Sequence, residues 1–450
     1  MVNFNRRQFL FAVTAAATAG AALGMSGLEY TRHLLKRGPL EHDTLKLSNG
    51  VKAYILPNDS GLVSALLRVN YGAINEKKRG IAHLAEHLLL NGGAGPYNSD
   101  QTKEFWDRYL PSRNAWTTLE HIGIPAGLPS SKVEKLIEVG AYSIFEPRFE
   151  EKPLEEEKKR VLQEIVTRTG KPSFGDYHEY RKKLYGENHP YAYKIAGEPE
   201  IIKQATVEDV KEFWKGAKPN LLEVFLVGTV PRNIDYLIEK HFGRYARDDG
   251  VIKEIPIVRP VSNSIEFSKE ASDLKEGAAE LAVGWNTEAR AKHKDVYAMR
   301  MLDLLLGTDS DSRLFKELSE KQGLVYGIES DYSSSKYNGY FGVSCKTGAD
   351  PEKVLKGIFV VMSSMKEIPV TQEDIRIKAQ NLLDNYLPEL QGNSGKLDEI
   401  KKRVDTGISY EDSYRGLRQV TPQQVMDAAR KYLPERGGNY VLIKRIGTSK

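Results

Sequence analysis

The sequence is poor in cysteine, in net charge and in long hydrophobic runs. It contains one cysteine among 450 residues, which excludes an internal disulfide bond and any metal site built from several cysteines. Its 65 basic and 61 acidic side chains leave a formal charge of +4, which is too small an excess to indicate nucleic acid binding. Cys345 lies in a strand-like segment, where we expect it to pack in a core.

The composition that remains is that of a globular protein with more than one domain. Hydrophobic residues make up 40% of the chain and charged residues 28%, which excludes disordered and collagen-like proteins. Strand-like and helix-like segments recur in a similar order in two halves of about 200 residues, which indicates an internal duplication. Hairpins with interspersed helices predict an α+β fold of two homologous domains, each a mostly antiparallel sheet packed with helices.

The domain boundaries follow from this repeat. We expect the first domain over residues 40–246 and the second over residues 263–450. Residues 247–262 carry mixed charge, two prolines and no sustained hydrophobic period, so they are predicted to form the linker. Within the first domain, Asn49-Gly50 predicts a hairpin turn. Residues 114–129 predict one continuous strand.

The N-terminal segment, residues 1–28, resembles an export signal. Arg6 and Arg7 precede an uncharged, alanine-rich run, which is the order of charged and apolar residues in signal peptides. The two arginines followed by Phe9 and Leu10 resemble a twin-arginine signal. We therefore expect an exported, periplasmic protein of a bacterium. An uncleaved membrane anchor and a mitochondrial presequence are the alternatives.

The segment GIAHLAEHLLLNGG carries the residues with the clearest chemistry. His83, Glu86 and His87 form an H-x-x-E-H pattern, and helical spacing places all three on one face. The neighbouring residues are almost all apolar, so this helix is predicted to be buried. Two imidazoles one turn apart suit zinc, and the carboxylate between them can hold the water at the fourth position as a general base. The alternative is two core histidines that are hydrogen-bonded to carbonyls.

A catalytic zinc site of this kind requires a third protein ligand. The helix predicted in PLEEEKKRVLQEIVTR contains Glu157 and Glu164, which are seven residues apart and hence on one face. Glu164 lies beside the apolar stripe of that helix, where an acidic side chain usually has a partner. Acidic residues also collect at helix N-termini because of the helix dipole, and this alone can account for Glu157.

These motifs resemble the pitrilysin family of zinc metallopeptidases, the inverzincins, and in particular its short members such as mitochondrial processing peptidase. The spacing from His87 to Glu164, and a glutamate seven residues before the latter, match the family pattern. The resemblance implies that His83, His87 and Glu164 bind Zn²⁺, one ion per chain. It also implies that Glu86 activates the zinc-bound water and that Glu157 orients the site.

The resemblance also implies where a peptide substrate binds. The sequence NAWTTLEH resembles the edge strand of the family, to which a substrate adds by main-chain pairing. The corresponding residues here are Asn114, Ala115, Trp116 and Thr117. The expected function is a zinc endopeptidase that cleaves peptides or unfolded polypeptide segments in a closed chamber. His121 follows this segment and is expected to be structural, as a lone strand histidine usually is.

One feature of the family is incomplete in the second half. Members often carry an arginine and a tyrosine seven residues apart that bind substrate and the developing oxyanion, and Tyr326 matches the tyrosine. The arginine position holds Ser319, which offers no charged two-pronged donor, whereas Arg313, Lys316 and Lys321 are displaced from it. Short members build their chamber from two chains. We therefore expect a heterodimer with a related chain that supplies the Arg/Tyr pair, with a homodimer as the alternative.

Two other functions compete with the peptidase. The first is a peptidase-like subunit whose main role is assembly with a related partner chain. The second is an exported zinc-binding factor without peptidase activity, which no sequence feature favours. Zinc content and peptide hydrolysis distinguish the three. No nucleic acid partner is expected, and membrane contact is expected only through an uncleaved N-terminal segment.

Overall fold

A computed structural model describes residues 40–109, 115–169 and 172–448 of the chain. The predicted export segment and Asn114 of the predicted substrate strand lie outside the described residues. Across these three ranges, we find no helix with both the length and the apolar character needed to cross a membrane.

The first half of the chain forms a six-stranded sheet packed with helices. Its strands are β1 (Asp43–Lys46), β2 (Lys52–Pro57), β3 (Leu62–Val69), β4 (Trp116–Thr117), β5 (Ile122–Pro129) and β6 (Leu222–Gly228). Its helices are α1 (Ile81–Asn91), α2 (Ser99–Tyr109), α3 (Val133–Phe145), α4 (Glu151–Thr169), α5 (Pro172–Tyr185), α6 (Pro199–Gln204), α7 (Val207–Trp214) and α8 (Ile234–Phe242). The strand order is β1-β2-β6-β3-β5-β4, in which β2 and β6 are parallel and the other neighbours antiparallel.

The second half forms a five-stranded sheet. Its strands are β7 (Ile265–Ala271), β8 (Ala279–Thr287), β9 (Gly327–Ser334), β10 (Gly339–Thr347) and β11 (Val441–Gly447). Its helices are α9 (Val296–Leu306), α10 (Pro351–Glu367), α11 (Gln372–Glu389), α12 (Asn393–Thr406), α13 (Tyr410–Arg418) and α14 (Pro422–Tyr432), together with a π-helix at Phe315–Lys321. The strand order is β7-β11-β8-β10-β9, in which β7 and β11 are parallel and the other neighbours antiparallel.

The two sheets share one topology. Without β1, the first sheet has the order β2-β6-β3-β5-β4, and the second has the order β7-β11-β8-β10-β9. Each strand of one sheet therefore has a counterpart at the same place in chain order and with the same pairing. The predicted fold class, an α+β protein of two homologous domains with mostly antiparallel sheets, is confirmed. Strands β4 and β9 are the counterpart edge strands.

The prediction of one continuous strand over residues 114–129 is wrong. The structure has two antiparallel strands, β4 and β5, joined by a turn over residues 118–121. The amide and the hydroxyl of Thr118 donate to the carbonyl oxygen of His121, at 2.8 and 3.0 Å. Residues 118–121 include no glycine or proline, and the turn is closed by the Thr118 side chain. The usual sequence signal for a turn is therefore absent where the two strands separate.

Each sheet has one face covered by a helix from the opposite half. Helix α12 of the second half places Leu397 and Ile400 against Phe225 on the first sheet. Helix α5 of the first half places Tyr180 and Leu184 against the second sheet. Since α5 follows α4 as α12 follows α11, the two halves exchange counterpart helices.

A buried arginine holds each exchanged helix. Arg68 of β3 donates to Asp405 of α12 at 3.0 Å and to Glu223 of β6 at 3.1 Å. Arg445 of β11 donates to Asp176 of α5 at 2.8 Å. A buried charge is costly unless it is paired. Each helix therefore supplies an acid that the opposite sheet requires.

Candidate active site

Helix α1 is buried in the first half, and its N-terminus is capped by a glutamate. Gly80 precedes the helix with a φ of 96°, a backbone conformation that favours glycine. Glu76 accepts hydrogen bonds from the amides of Gly80 and Ala82, both at 3.0 Å. These bonds satisfy donors that no helical carbonyl reaches. Burial raises the pKa of Glu76 to about 7, although the two amides and Arg79 oppose this shift.

Three side chains from α1 and α4 converge on one point. The Nε2 atoms of His83 and His87 are 3.3 Å apart, and each lies 3.7 Å from a carboxylate oxygen of Glu164. The two imidazole rings are nearly perpendicular, at 89°. The Glu164 side chain is 39% exposed whereas the histidines are largely buried. The cluster therefore opens to solvent on the Glu164 side.

This cluster fits a zinc ion. Tetrahedral zinc with bonds of 2.0–2.2 Å to nitrogen and oxygen holds its ligand atoms about 3.4 Å apart. The imidazole nitrogens are 3.3 Å apart here, and each lies 3.7 Å from its own nearest Glu164 oxygen, Oε2 for His83 and Oε1 for His87. Two imidazoles and one carboxylate are also the donor set of one class of catalytic zinc site. The structure thus brings together the three residues that the sequence motif and the family resemblance select.

Glu157 contacts His87 at the ring nitrogen that faces away from the cluster. Its Oε2 lies 2.9 Å from Nδ1 of His87, and its Oε1 accepts from Arg160 at 2.7 Å. A carboxylate at Nδ1 favours the tautomer with its proton there, which turns the Nε2 lone pair toward the cluster. Burial lowers the pKa of His87, but the bond to Glu157 and the nearby carboxylates outweigh it, so that the pKa is raised overall.

Glu86 is buried on helix α1 and is hydrogen-bonded to the edge strand β4. The hydroxyl of Thr117 in β4 donates to Oε2 of Glu86 at 2.7 Å. Sequence reasoning assigns Thr117 to a main-chain role and misses this side-chain contact. No local pattern could reveal it, because the contact joins residues 31 positions apart on two different elements.

The predicted substrate strand lies at the edge of the first sheet, as β4 is the last strand in the order. Ala115 and Trp116 are half-buried there. The indole Nε1 of Trp116 donates to Nε2 of His121 at 3.2 Å. The pKa of His121 is lowered to about 4, first by burial and then by Arg68 and Lys401, so the imidazole stays neutral and can accept this bond.

The residues singled out in the second half are either exposed or bonded to groups of that half. Tyr326 is 99% exposed, so its side chain packs against nothing in the described chain. Ser319 donates to the carbonyl oxygen of Tyr326 at 3.5 Å. The three basic residues nearby are engaged elsewhere: Arg313 donates to carbonyls at the end of α10, and Lys316 and Lys321 pair with acidic side chains at 3.2 and 3.0 Å.

The only cysteine of the sequence is buried in β10. Burial raises the pKa of the Cys345 thiol to about 12, with a smaller contribution from Glu280. The thiol is therefore protonated at neutral pH and packs with the apolar core of the second half.

Two family models match the chain. Residues 55–180 match the model described as insulinase, peptidase family M16, and residues 204–382 match the model described as the peptidase M16 inactive domain. Among curated proteins, the chain is similar to one named uncharacterized zinc protease YmxG from Bacillus subtilis. The two are 24% identical over 361 residues, which cover 79% of this chain and 86% of the relative.

Solved structures share the fold. A protease from Helicobacter pylori has a TM-score of 0.78 at 19% identity, with 91% of this chain and 99% of that chain covered. The periplasmic protease PqqL from Escherichia coli has a TM-score of 0.73 at 12% identity, and 90% of this chain covers 47% of PqqL. The motif, the two matched models and the shared two-sheet fold together show that this chain belongs to the M16, or pitrilysin, family of peptidases.

Proposed function

We propose that this protein is a zinc-dependent endopeptidase that cleaves peptides or unfolded polypeptide segments. The observation that carries the proposal is the convergence of His83, His87 and Glu164, whose ligand atoms all lie within 4.8 Å of one another. The buried carboxylate of Glu86 lies on helix α1, between His83 and His87 in sequence. The name of the Bacillus subtilis relative, a zinc protease, supports the choice of metal.

Each residue of the cluster has a separate task in this proposal. His83, His87 and Glu164 would hold the ion, which when bound supplies Lewis-acid chemistry toward water and the scissile carbonyl. Glu86 takes a proton from the attacking water and returns it to the leaving amine. Glu157 holds the ring of His87 in one orientation through Nδ1.

The proposed substrate site is the outer edge of β4. An edge strand presents unpaired main-chain groups, and an extended peptide can pair with them irrespective of its side chains. The β4 segment lies beside Glu86, as the bond from Thr117 demonstrates. A peptide on this edge would therefore have its main chain close to the proposed base. Ala115 precedes β4 and would extend the same edge, and we propose the same role for Asn114, which lies outside the described residues.

We further propose that a second, related chain completes the chamber. Tyr326 is fully exposed and Ser319 stands at the arginine position, so this chain offers an incomplete second-half motif. The coverage of PqqL, in which this chain matches about half, supports an assembly of two units of this size. The competing function is a peptidase-like subunit that mainly serves such an assembly. Residues 204–382 match a model described as an inactive domain, and this description favours the competing function.

The peptidase proposal predicts a separation of metal binding from hydrolysis. We expect about one zinc per chain, and we expect His83→Ala, His87→Ala and Glu164→Gln to lose most of it. Glu86→Gln removes the base and no ligand, so it should retain zinc while hydrolysis falls by about 10²–10⁴-fold. Zinc is measured by mass spectrometry of the dialysed protein, and hydrolysis with a quenched fluorescent peptide library.

Glu320→Gln, at an exposed glutamate of the second half, serves as the matched control and should change neither quantity. Hydrolysis by Glu86→Gln at the rate of the unmodified protein would refute the proposed mechanism. Stoichiometric zinc without hydrolysis of any peptide, alone or with a related chain, would favour the assembly function.

A further inference from the structure

We propose that Thr117 is a positioning residue for Glu86, so that the strand proposed to bind the peptide also sets the orientation of the base. This inference rests on the proposed peptidase function. Its observation is the 2.7 Å hydrogen bond from the Thr117 hydroxyl to Oε2 of Glu86. Hydrogen bonds to an ionised carboxylate are shorter and stronger than neutral ones, and this bond restrains the last torsion of the Glu86 side chain, which is a broad one in glutamate.

The two residues of β4 point to opposite faces of the sheet, as alternate strand residues do. The Trp116 side chain lies on the face covered by α12, where it packs against the apolar cluster that contains Leu397, and Nζ of Lys401 lies 5.6 Å from the Trp116 ring centroid. The Thr117 side chain is therefore directed to the other face, where α1 lies. Strand β4 is thereby held on one face by the second half and on the other by Glu86.

Main-chain hydrogen bonds connect the turn after β4 to the segment that precedes helix α1. The turn after β4 accepts hydrogen bonds at the carbonyls of Thr118 and Leu119 from the amides of Ala73 and Ile74, at 2.9 and 3.0 Å. The same segment continues to Glu76, which caps helix α1. The end of β4 and the start of α1 are thus attached to one short stretch of chain, which brings Thr117 next to Glu86.

A coupling follows from this geometry. Strand β4 is only two residues long and pairs with β5 on one side. A peptide that pairs with its other side would restrain β4 from both sides, and with it the hydroxyl that holds Glu86. The base would then be best oriented when the substrate is in place, which acts on the chemical step rather than on peptide affinity.

The test replaces the hydroxyl while keeping the shape of the side chain. Thr117→Val retains the β-branch and should lower kcat by about 10- to 100-fold, with KM and zinc content within about twofold of the unmodified protein. Thr117→Ser restores the donor and should recover most of kcat. Thr44→Val, at an exposed threonine of the opposite edge strand β1, is the matched control and should leave all three quantities unchanged.

A double variant distinguishes positioning of Glu86 from a general effect on the strand. In the Glu86→Gln background, Thr117→Val should cause no further loss of the residual rate, because its effect passes through Glu86. A full additional loss would overturn the inference, as would a large rise in KM for Thr117→Val with kcat intact. Either result would leave the peptidase function standing.

A spectroscopic measurement tests the contact without turnover. The visible absorption of the cobalt-substituted protein reports the surroundings of the metal, so Thr117→Val should alter this spectrum whereas Thr44→Val should not. A spectrum unchanged by Thr117→Val would count against the inference. If the spectrum responds but no variant, nor the unmodified protein, cleaves peptides, the contact is supported and the peptidase function fails.

Discussion

At the scale of single residues, Glu76 combines two opposing requirements. Its carboxylate caps helix α1 by accepting from two amides, yet its side chain is only 1% exposed. Burial dominates and raises its pKa from 4.5 to about 7. The folded protein therefore binds this proton more tightly than the unfolded chain does, so the contribution of Glu76 to stability is present below pH 4.5 and is lost as the pH rises to about 7.

This linkage predicts the pH dependence of a Glu76→Gln variant. The amide cannot ionise, so the difference in unfolding free energy between the variant and the unmodified protein should shift in favour of the variant by about 2–3 kcal/mol from pH 5 to pH 7.5. Urea unfolding at both pH values measures it, and taking the difference cancels the titration of other groups. Glu320→Gln, at an exposed position, should give a constant difference. A constant difference for Glu76→Gln would contradict the assigned cause.

The site residues differ in how far the sequence could reveal them. His83, Glu86 and His87 lie within five positions of one helix, so a local pattern identifies them. Glu164 and Glu157 lie on another helix. The position of Glu164 beside an apolar stripe indicates a partner, but only the family resemblance assigns both residues to the site. The bond from Thr117 to Glu86 depends on how β4 packs against α1, which no spacing encodes. The substrate-binding roles of Asn114 to Thr117 stay predictions.

At the scale of elements, the position of β4 depends on a glycine in another segment. Gly72 has an ordinary φ of −109°, so its backbone conformation suits any residue. The space beside it does not, because a Cβ there would lie 2.5 Å from the amide of His121 and from the carbonyl oxygen of Thr118. Glycine at this position allows the chain before α1 to lie directly against the β4 turn.

We therefore expect Gly72→Ala to separate these two elements. The backbone atoms cannot yield as a flexible side chain would, so the variant should lose about 1–3 kcal/mol of stability and part of its hydrolytic rate as β4 moves from Glu86. Gly175→Ala is the matched control, since it lies exposed in helix α5 with no neighbour within 4 Å of the added Cβ. That change should stabilise the protein by about 0.5–1 kcal/mol. Equal unfolding midpoints for both variants would refute the steric argument.

The elements that the sequence predicts well are those with a strong local signal. Helix α1 (Ile81–Asn91) contains the helix predicted around His83 and His87, and the predicted Asn49-Gly50 hairpin joins β1 and β2. The sequence pattern predicts neither α5 nor α12. Helix α12 buries Leu397 and Ile400 but is otherwise rich in charge, because only a narrow stripe contacts the opposite half. Helix α12 is stabilised by packing on the sheet of the first half, so its own sequence has only a weak hydrophobic period.

At the scale of the whole molecule, the second half presents an exposed and incomplete motif. Tyr326 projects into solvent directly before the edge strand β9, and Ser319 bonds to its carbonyl. If a related chain faces the zinc cluster with a complete Arg/Tyr pair, the isolated chain lacks one charged donor. Loss of such a donor typically costs about 10²–10³-fold in rate.

This proposal predicts how activity responds to a partner and to Ser319→Arg. Addition of the related chain should raise peptide hydrolysis at least tenfold, by about 1.4 kcal/mol of transition-state stabilisation or more. Ser319→Arg alone should recover part of that gain if two copies can face each other. Ser268→Arg, at an exposed position of the opposite edge strand β7, should recover none. Full activity of the isolated chain, unaffected by either change, would refute the assembly proposal.

The global arrangement is only partly contained in the sequence pattern. The repeated order of strands and helices predicts two homologous domains, and the matching sheet topologies agree with it. The exchange of α5 and α12 could not be predicted, because the hydrophobic pattern of a helix shows which face is buried but not which sheet covers it. The export of the protein and its partner chain stay predictions, the former because Arg6 and Arg7 lie outside the described residues.

The exchange of α5 and α12 also constrains how a chain of this kind can descend from a shorter one. A polypeptide with a single half would leave one face of its sheet bare and one helix without a sheet to cover. In a dimer of two such halves, each copy would cover the exposed sheet face of the other with the same helix, as in a domain-swapped dimer with twofold symmetry. Joining the copies into one gene keeps every such contact and frees the fold from its dependence on protomer concentration.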